Sequence, residues 1–208
     1  MKINESYNAW AVTYDSNNNK TRDLELVVGK SIIENKHYAN ILELGCGTGK
    51  NSEWLIDKCD SLLGIDFSTE MLAIAKTKII SDKVSFQQAD LLKEWQFVNG
   101  STDLITASLV LEHIQNLDFI FSEANKVLSA NGLFYVCELH PFKQYSGSKA
   151  RFEINGKTVK LETYVHHISD YLQSASKNNL KLVELNEWFD DEEKIGLPRL
   201  VSLLFQKV

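Results

Sequence analysis

Short apolar runs alternate along this chain with stretches whose apolar positions recur every three or four residues, the pattern of a layered α/β domain. Thr21–Lys36 carries Leu24, Val27, Val28, Ile32 and Ile33 at helical spacing, and Tyr38–Leu44 reads as the first strand. A helix is predicted over Lys50–Cys59, a strand over Leu62–Asp66, and a helix over Ser68–Ile79 with Ser68 as its N-cap. Val84–Gln88 and Thr102–Ala107 read as strands, followed by a helix around Leu117–Leu128. Asn131-Gly132 then turns the chain into a fifth strand, Leu133–Cys137. A helix over Ser169–Lys177 and strands at Lys181–Leu185 and Leu200–Val208 complete the pattern. The strands are apolar almost throughout, as a sheet covered by helices on both faces requires. No helical spacing separates the last two strands, so they should pair as antiparallel neighbours. The expected α/β fold is a seven-stranded, mostly parallel sheet whose last strand is antiparallel.

Residues 138–167 interrupt this rhythm. Arg151-Phe152-Glu153-Ile154 and Lys157-Thr158-Val159-Lys160-Leu161 alternate in polarity around Asn155-Gly156, a dipeptide suited to the positive φ values of a tight hairpin turn. A β-hairpin inserted after the fifth strand is therefore predicted. Open α/β sheets bind ligands outside the C-terminal ends of their strands, so this insertion should form a substrate-side cap within a single domain spanning residues 1–208.

Composition narrows the class. The length suits one domain with a sizeable core, and no apolar run is long enough to span a membrane. The polar start, Met1-Lys2-Ile3-Asn4-Glu5, lacks the apolar segment of a secretory signal. Cys46, Cys59 and Cys137 form no paired framework, which favours a reducing cytoplasm, and none has a partner at zinc-site spacing, so no metal is expected. A formal net charge of −6 without a basic run argues against a broad nucleic-acid surface without excluding one. Monomer and homodimer both stay open.

The strongest chemical signal is Ile41-Leu42-Glu43-Leu44-Gly45-Cys46-Gly47-Thr48-Gly49-Lys50, an apolar strand running into three glycines spaced two apart. Such glycines let the backbone turn sharply and approach a ligand without an intervening Cβ. Lys50 stands where a dinucleotide fingerprint wants glycine or alanine, and no Gly-Lys-Ser/Thr follows at P-loop spacing. Glu43 suits a cationic ligand better than a pyrophosphate. Downstream, Leu62–Asp66 ends in a carboxylate able to accept hydrogen bonds from both hydroxyls of a ribose.

These residues resemble motif I and the following strand of the class I S-adenosylmethionine-dependent methyltransferases, and Asp103–Ala107 with Ser108–Ile114 resembles motif IV. The resemblance spans essentially the whole chain and implies a Rossmann-like methyltransferase fold. It also implies the cofactor S-adenosyl-L-methionine, with S-adenosyl-L-homocysteine as product. It places Tyr14, Glu43, Gly45, Cys46, Gly47, Gly49, Asp66, Phe67, Met71, Asp90, Leu91, Ala107 and Ser108 around that cofactor. Tyr7, Trp10, Tyr14 and Asp15 lie in a region that often folds over the cofactor in this family. The branch it resembles is that of small-molecule methyltransferases similar to the ubiquinone and biotin-pathway enzymes, while Glu138–Tyr145 looks like a bacterial subgroup.

For the acceptor side, His140 is the candidate base: it follows the fifth strand directly, and an imidazole titrates near pH 6.5, about neutrality. His113, Phe142, Tyr145, Arg151, Tyr164 and His167, with His140, are candidate acceptor contacts. Arg151 pointing inward would favour an acidic acceptor; on the hairpin's outer face it would only aid solubility. The reading is in-line methyl transfer to a small molecule at oxygen or carbon. A tRNA or protein methyltransferase and a non-catalytic cofactor-binding protein are the alternatives. No Asn-Pro-Pro-Tyr-like segment follows the fourth strand, where Ala107-Ser108-Leu109-Val110 stands.

Overall fold

Alternate residues of the central strands face opposite helical layers, which is how nearly continuous apolar runs come to be buried on both sides. The strands are β1 (Tyr38–Leu44), β2 (Cys59–Asp66), β3 (Val84–Gln88), β4 (Thr102–Ser108), β5 (Leu128–Leu139), β6 (Arg151–Ile154), β7 (Lys157–Lys160), β8 (Leu180–Trp188) and β9 (Leu200–Lys207). The computed structural model describes residues 3–33, 36–154 and 157–208. Seven strands form one sheet in the order β3-β2-β1-β4-β5-β9-β8, and β6-β7 form a separate ribbon. Pairings from β3 across to β5 are parallel, while β9 runs antiparallel to both β5 and β8. The predicted mostly parallel sheet with an antiparallel last strand is the observed one.

On one face Leu42, Leu44, Ile105, Ala107, Phe134, Val136, Leu203 and Phe205 pack with Phe121 of α5 (Leu117–Val127) and Tyr171 of α7 (Ile168–Lys177). On the other, Ile41, Leu104, Leu133, Tyr135 and Leu204 meet Val28 and Ile33 of α2 (Lys20–Ile33) and Leu55 of α3 (Ser52–Leu55). The remaining helices are α1 (Ile3–Tyr14), α4 (Thr69–Lys78) and α6 (Pro141–Tyr145).

Several elements depart from expectation, among them β5, which starts at Leu128 and takes in the predicted Asn131-Gly132 turn as an irregularity with Asn131 at φ +63°. The helix predicted over Lys50–Cys59 is only α3 and a 3-10 turn at Ile56–Lys58, because Cys59 already pairs with Tyr38 as the first residue of β2. Segment 3–14, expected merely to precede the first helix, is itself α1, with Trp10 and Ala11 buried on one side. Pro141–Tyr145 closes into a single helical turn with Pro at its start, where a missing N–H costs nothing. Ser68 caps α4 as expected, its hydroxyl accepting the Met71 N–H at 3.2 Å.

The inserted ribbon forms with Arg151 opposite Lys160 and Phe152 opposite Val159; the predicted Asn155-Gly156 turn lies outside the described residues. Phe152 is buried and stacks on Trp10, ring centroids 5.2 Å apart, while Arg151 and Glu153 are exposed. Trp10, Phe152 and Leu161 form a small cluster of their own, joined by Tyr7, Tyr14 and Val159. Helix α1 and the ribbon thus fasten to each other above the C-terminal ends of the parallel strands. No helix among the described residues is long and apolar enough to cross a membrane.

Candidate active site

The site begins where β1 ends. Gly45, Gly47 and Gly49 all hold positive φ, +67°, +54° and +79°. At Gly45 the need for glycine is double: a Cβ there would sit 2.6 Å from Val110 Cγ2. At Gly47 a Cβ would meet nothing within 4 Å, so this backbone borders open space, and it lines a cavity of about 1040 Å³. The loop is tied to the next strand by Cys46 N–H donating to Ile65 O at 2.9 Å.

Asp66, the last residue of β2, has its carboxylate held by main chain. Gly47 N–H donates to Oδ2 at 2.9 Å and Ser68 N–H to Oδ1 at 2.8 Å. Burial raises its pKa, and these N–H donors oppose the rise. Phe67, Met71, Asp90 and Leu91 line the same cavity beside it. A carboxylate that accepts from a diol, next to apolar surface for a flat ring, is what a nucleoside requires.

A smaller pocket of about 50 Å³ adjoins through Tyr14, Gly45, Gly47, Ser108 and Leu109, and adds Arg22, Glu25, Glu43 and Cys46. Burial pushes the Glu43 carboxyl up to about 8, with the charges of Glu25 and Asp66 adding to the rise and the Ser52 hydroxyl, which donates to it, opposing. Arg22 spends Nη1 and Nη2 on the carbonyls of Tyr14 and Asn17, 2.6 and 3.0 Å away. Its Nε is buried with no hydrogen-bond partner among the described residues. An orphaned guanidinium donor and a buried carboxyl across one small pocket fit the two ends of an amino acid. The donor set as a whole therefore fits a ligand that is nucleoside at one end and amino acid at the other.

Helix α1 closes over this floor. Asp15, just past its end, accepts from the Thr48 hydroxyl of the glycine loop at 2.7 Å and pairs with Lys78 of α4 at 2.7 Å. Asn8 Oδ1 accepts from the Ser68 hydroxyl at 2.7 Å. Tyr7 and Tyr14 line the large cavity from above, with Val159, Lys160, Leu161 and Glu162 from the ribbon and the residues after it. His113, in the short 3-10 turn Leu111–His113, also lines it: Nε2 lies 2.8 Å from the Tyr7 hydroxyl and Nδ1 lies 2.9 Å from the Glu162 carbonyl oxygen. Burial lowers the His113 pKa, so the ring is neutral.

Among the cofactor candidates, Tyr14, Gly45, Gly47, Asp66, Phe67, Met71, Asp90, Leu91 and Ser108 border the large cavity, and Glu43 and Cys46 the smaller one. Gly49 instead packs under the loop against Ile79 and Ala75 of α4, and Ala107 is fully buried.

The acceptor candidates divide differently. Of them the cavity takes only His113. His140, the expected base, is fully buried as the N-cap of α6: Nδ1 accepts the Phe142 N–H at 3.2 Å and Nε2 sits 2.9 Å from Glu187 Oε1. Both ring nitrogens are committed, and the ring does not reach the cavity. Phe142 and Tyr145 are exposed, the Tyr145 hydroxyl contacting His167 Nδ1. His167 caps α7, its N–H donating to Asp170 at 2.8 Å. Tyr164 gives its N–H to the Glu112 carbonyl at 2.7 Å. Arg151 lies on the outer face of the ribbon.

Arg22 and Glu25 are site residues that sequence reasoning misses, and Tyr7 is read from sequence only as part of the segment over the cofactor. For Tyr7 a signal existed, since Ile3, Tyr7, Trp10, Ala11 and Tyr14 recur at helical spacing. Arg22 carried none, being one cation among many in an amphipathic helix.

The family described as "Methyltransferase domain" matches residues 42–136. A demethylmenaquinone methyltransferase of Leptospira interrogans is 32% identical over 144 residues, 64% of this chain and 58% of that protein. A ubiquinone biosynthesis O-methyltransferase of Pelagibacter ubique is 26% identical over 151 residues, 70% of this chain and 63% of that protein. The chain thus spans less than two thirds of the length of these two relatives. Among solved structures, the N-methyltransferase NodS of Bradyrhizobium japonicum WM9, in complex with S-adenosyl-L-homocysteine, shares the fold with a TM-score of 0.67. The match covers 92% of this chain and 89% of that one at 18% identity.

The sheet is shared with that solved methyltransferase, and the part of the chain from β1 to β5 is similar to the methyltransferase domain family. The cleft above β1, β2 and β4 is where the glycine loop, Asp66 and the smaller pocket meet.

Proposed function

We propose that the chain transfers the methyl group of S-adenosylmethionine to a small molecule, at oxygen or carbon, by in-line displacement. The observation that carries this reading is the roof: α1 and the β6–β7 ribbon, stacked through Trp10 and Phe152, wall one side of a cavity of about 1040 Å³, room for a small molecule beside the cofactor. The names of the two relatives, a ubiquinone biosynthesis O-methyltransferase and a demethylmenaquinone methyltransferase, favour the same small-molecule branch. The three buried free cysteines suit a reducing, cytoplasmic setting.

S-adenosylmethionine supplies a methyl group already activated on a positively charged sulfur. The chain's part is to orient and enclose. Asp66 would hold the ribose hydroxyls, Phe67 and Leu91 the adenine, and Arg22 and Glu43 the carboxylate and ammonium of the methionine portion. A bound ammonium beside Glu43 favours its ionised form, countering burial. Tyr7, Leu161 and Ile114 offer the acceptor a wall from which water is kept away, and holding it in line removes much of the barrier as prepaid entropy.

Calorimetry with S-adenosylhomocysteine tests the cofactor half: binding is expected, and its absence would sink the assignment. Methyl-labelled S-adenosylmethionine added with the protein to a cell extract tests the acceptor half. Label is expected in the small-molecule fraction; label in RNA or protein alone would reverse the choice.

A further inference from the structure

We infer that Tyr7 and His113 form a proton relay on the acceptor side of the cavity, with the Tyr7 hydroxyl touching the acceptor and His113 as the final base. The inference rests on the small-molecule reading above. It starts from a pairing that leaves no freedom. The Glu162 carbonyl oxygen, 2.9 Å from His113 Nδ1, can only accept, so Nδ1 carries the ring proton. Nε2 is then a bare acceptor, and the Tyr7 hydroxyl 2.8 Å away donates to it. That leaves the Tyr7 oxygen with lone pairs free to accept a proton, and both side chains border the cavity. Sequence spacing gave no hint of the pair, whose members stand 106 residues apart.

The step balances without any further reagent. An acceptor hydroxyl oxygen forms a bond to the methyl carbon as the carbon–sulfur bond breaks, its electron pair passing to sulfur. The acceptor's proton moves to the Tyr7 oxygen while the Tyr7 proton moves to His113 Nε2. The result is a methyl ether, a neutral thioether and a His113 imidazolium. Glu112 Oε1 lies 3.9 Å from Nε2, where an imidazolium favours the ionised carboxylate against its burial. Tyr7 itself faces Tyr14, Glu112, Asp66 and Glu138, and burial with those acidic neighbours raises its pKa well above the ordinary value. It therefore passes a proton on and does not rest as a phenolate. Glu162 follows the ribbon, so the base reaches its working tautomer only with the insertion docked.

Two measurements test the relay. Ring-nitrogen NMR of the whole chain with S-adenosylhomocysteine bound, His113 assigned by the signal lost in His113→Gln, should show a neutral ring protonated on Nδ1. A ring protonated on Nε2 would overturn the relay whether or not the acceptor is known. Tyr7→Phe keeps the ring and removes the hydroxyl. With the extract's small-molecule fraction as acceptor source, it should slow labelling by about 100-fold while S-adenosylhomocysteine affinity stays within about threefold. Labelling within about threefold of the parent, or an equal loss of affinity, would make Tyr7 a wall residue only and overturn the inference. Failure of the parent chain to label any small molecule would instead remove the reading beneath it, while the ring tautomer still judges the pair.

Discussion

The floor and the roof of the cavity are built by different means. The floor, from Gly45 to Asp66, is main chain on main chain: N–H groups hold the Asp66 carboxylate, and three left-handed glycines set the loop. The roof is side chain on side chain, Trp10 on Phe152 and Tyr7 on His113, joining segments far apart in sequence. A main-chain site dictates residue type at fixed spacing and tolerates little change. A packed roof asks only for complementary surfaces, so it can vary with the acceptor.

The sharpest way to break this contrast is Gly45→Ala. A Cβ 2.6 Å from Val110 and a left-handed φ together cost about 2–5 kcal/mol by summed overpacking and strain. S-adenosylhomocysteine affinity should fall at least 100-fold or the chain unfold early in urea, both read on one preparation. Trp10→Ala should act on the roof alone. Truncating a buried tryptophan costs about 3–5 kcal/mol where packing cannot relax, but here the loss frees α1 and leaves the sheet standing. Proteolysis should cut the first fourteen residues sooner while the far-UV spectrum persists; loss of the whole fold would show floor and roof to be one unit.

Asp66→Asn should weaken S-adenosylhomocysteine by about 10- to 100-fold, the worth of charge-assisted hydrogen bonds, with stability little changed. If affinity holds in calorimetry, the ribose assignment falls.

A smaller effect concerns pH. Burial, with Glu112 adding to it, raises Glu138 from 4.5 to about 8, although Val110 and Leu111 N–H donate to Oε1. The folded chain keeps a proton there that the unfolded chain gives up. That contribution to stability is full below about pH 4.5 and is lost as pH rises through about 8. Glu43, also at about 8, and Glu112, at about 7, act in the same sense. Denaturation of the ligand-free chain should thus grow easier between pH 5 and 8, by about 1 kcal/mol per pH unit for each carboxyl still protonated in the fold, and Glu138→Gln should flatten the slope. Smallest of all, Arg151→Ala on the outer face of the ribbon should leave labelling within about threefold, and a larger loss would turn that face inward.

The contrast explains what could be read from the chain. Glycine spacing, strand runs and the Ser68 cap are local signals that map to their elements, although β5 starts at Leu128, ahead of its predicted apolar run. His140 shows the opposite case. Its place after the fifth strand pointed to the acceptor, yet that position is also the N-cap of a one-turn helix, and capping claimed the ring. Glu187, which takes its other nitrogen, lies on β8 and has no sequence relation to it. Arg22 and the Tyr7–His113 pair depend on the docking of α1, a tertiary event that periodicity alone does not locate.

Asp15 joins the two halves. One carboxylate holds Thr48 of the glycine loop and Lys78 of α4 at the very end of the roof helix. Lifting the roof therefore slackens the loop, and filling the loop pins the roof. A cofactor bound beneath the roof would then leave only as α1 lifts, and Asp15 is the contact, beside Asn8–Ser68 and Trp10–Phe152, through which the glycine loop itself would feel that release.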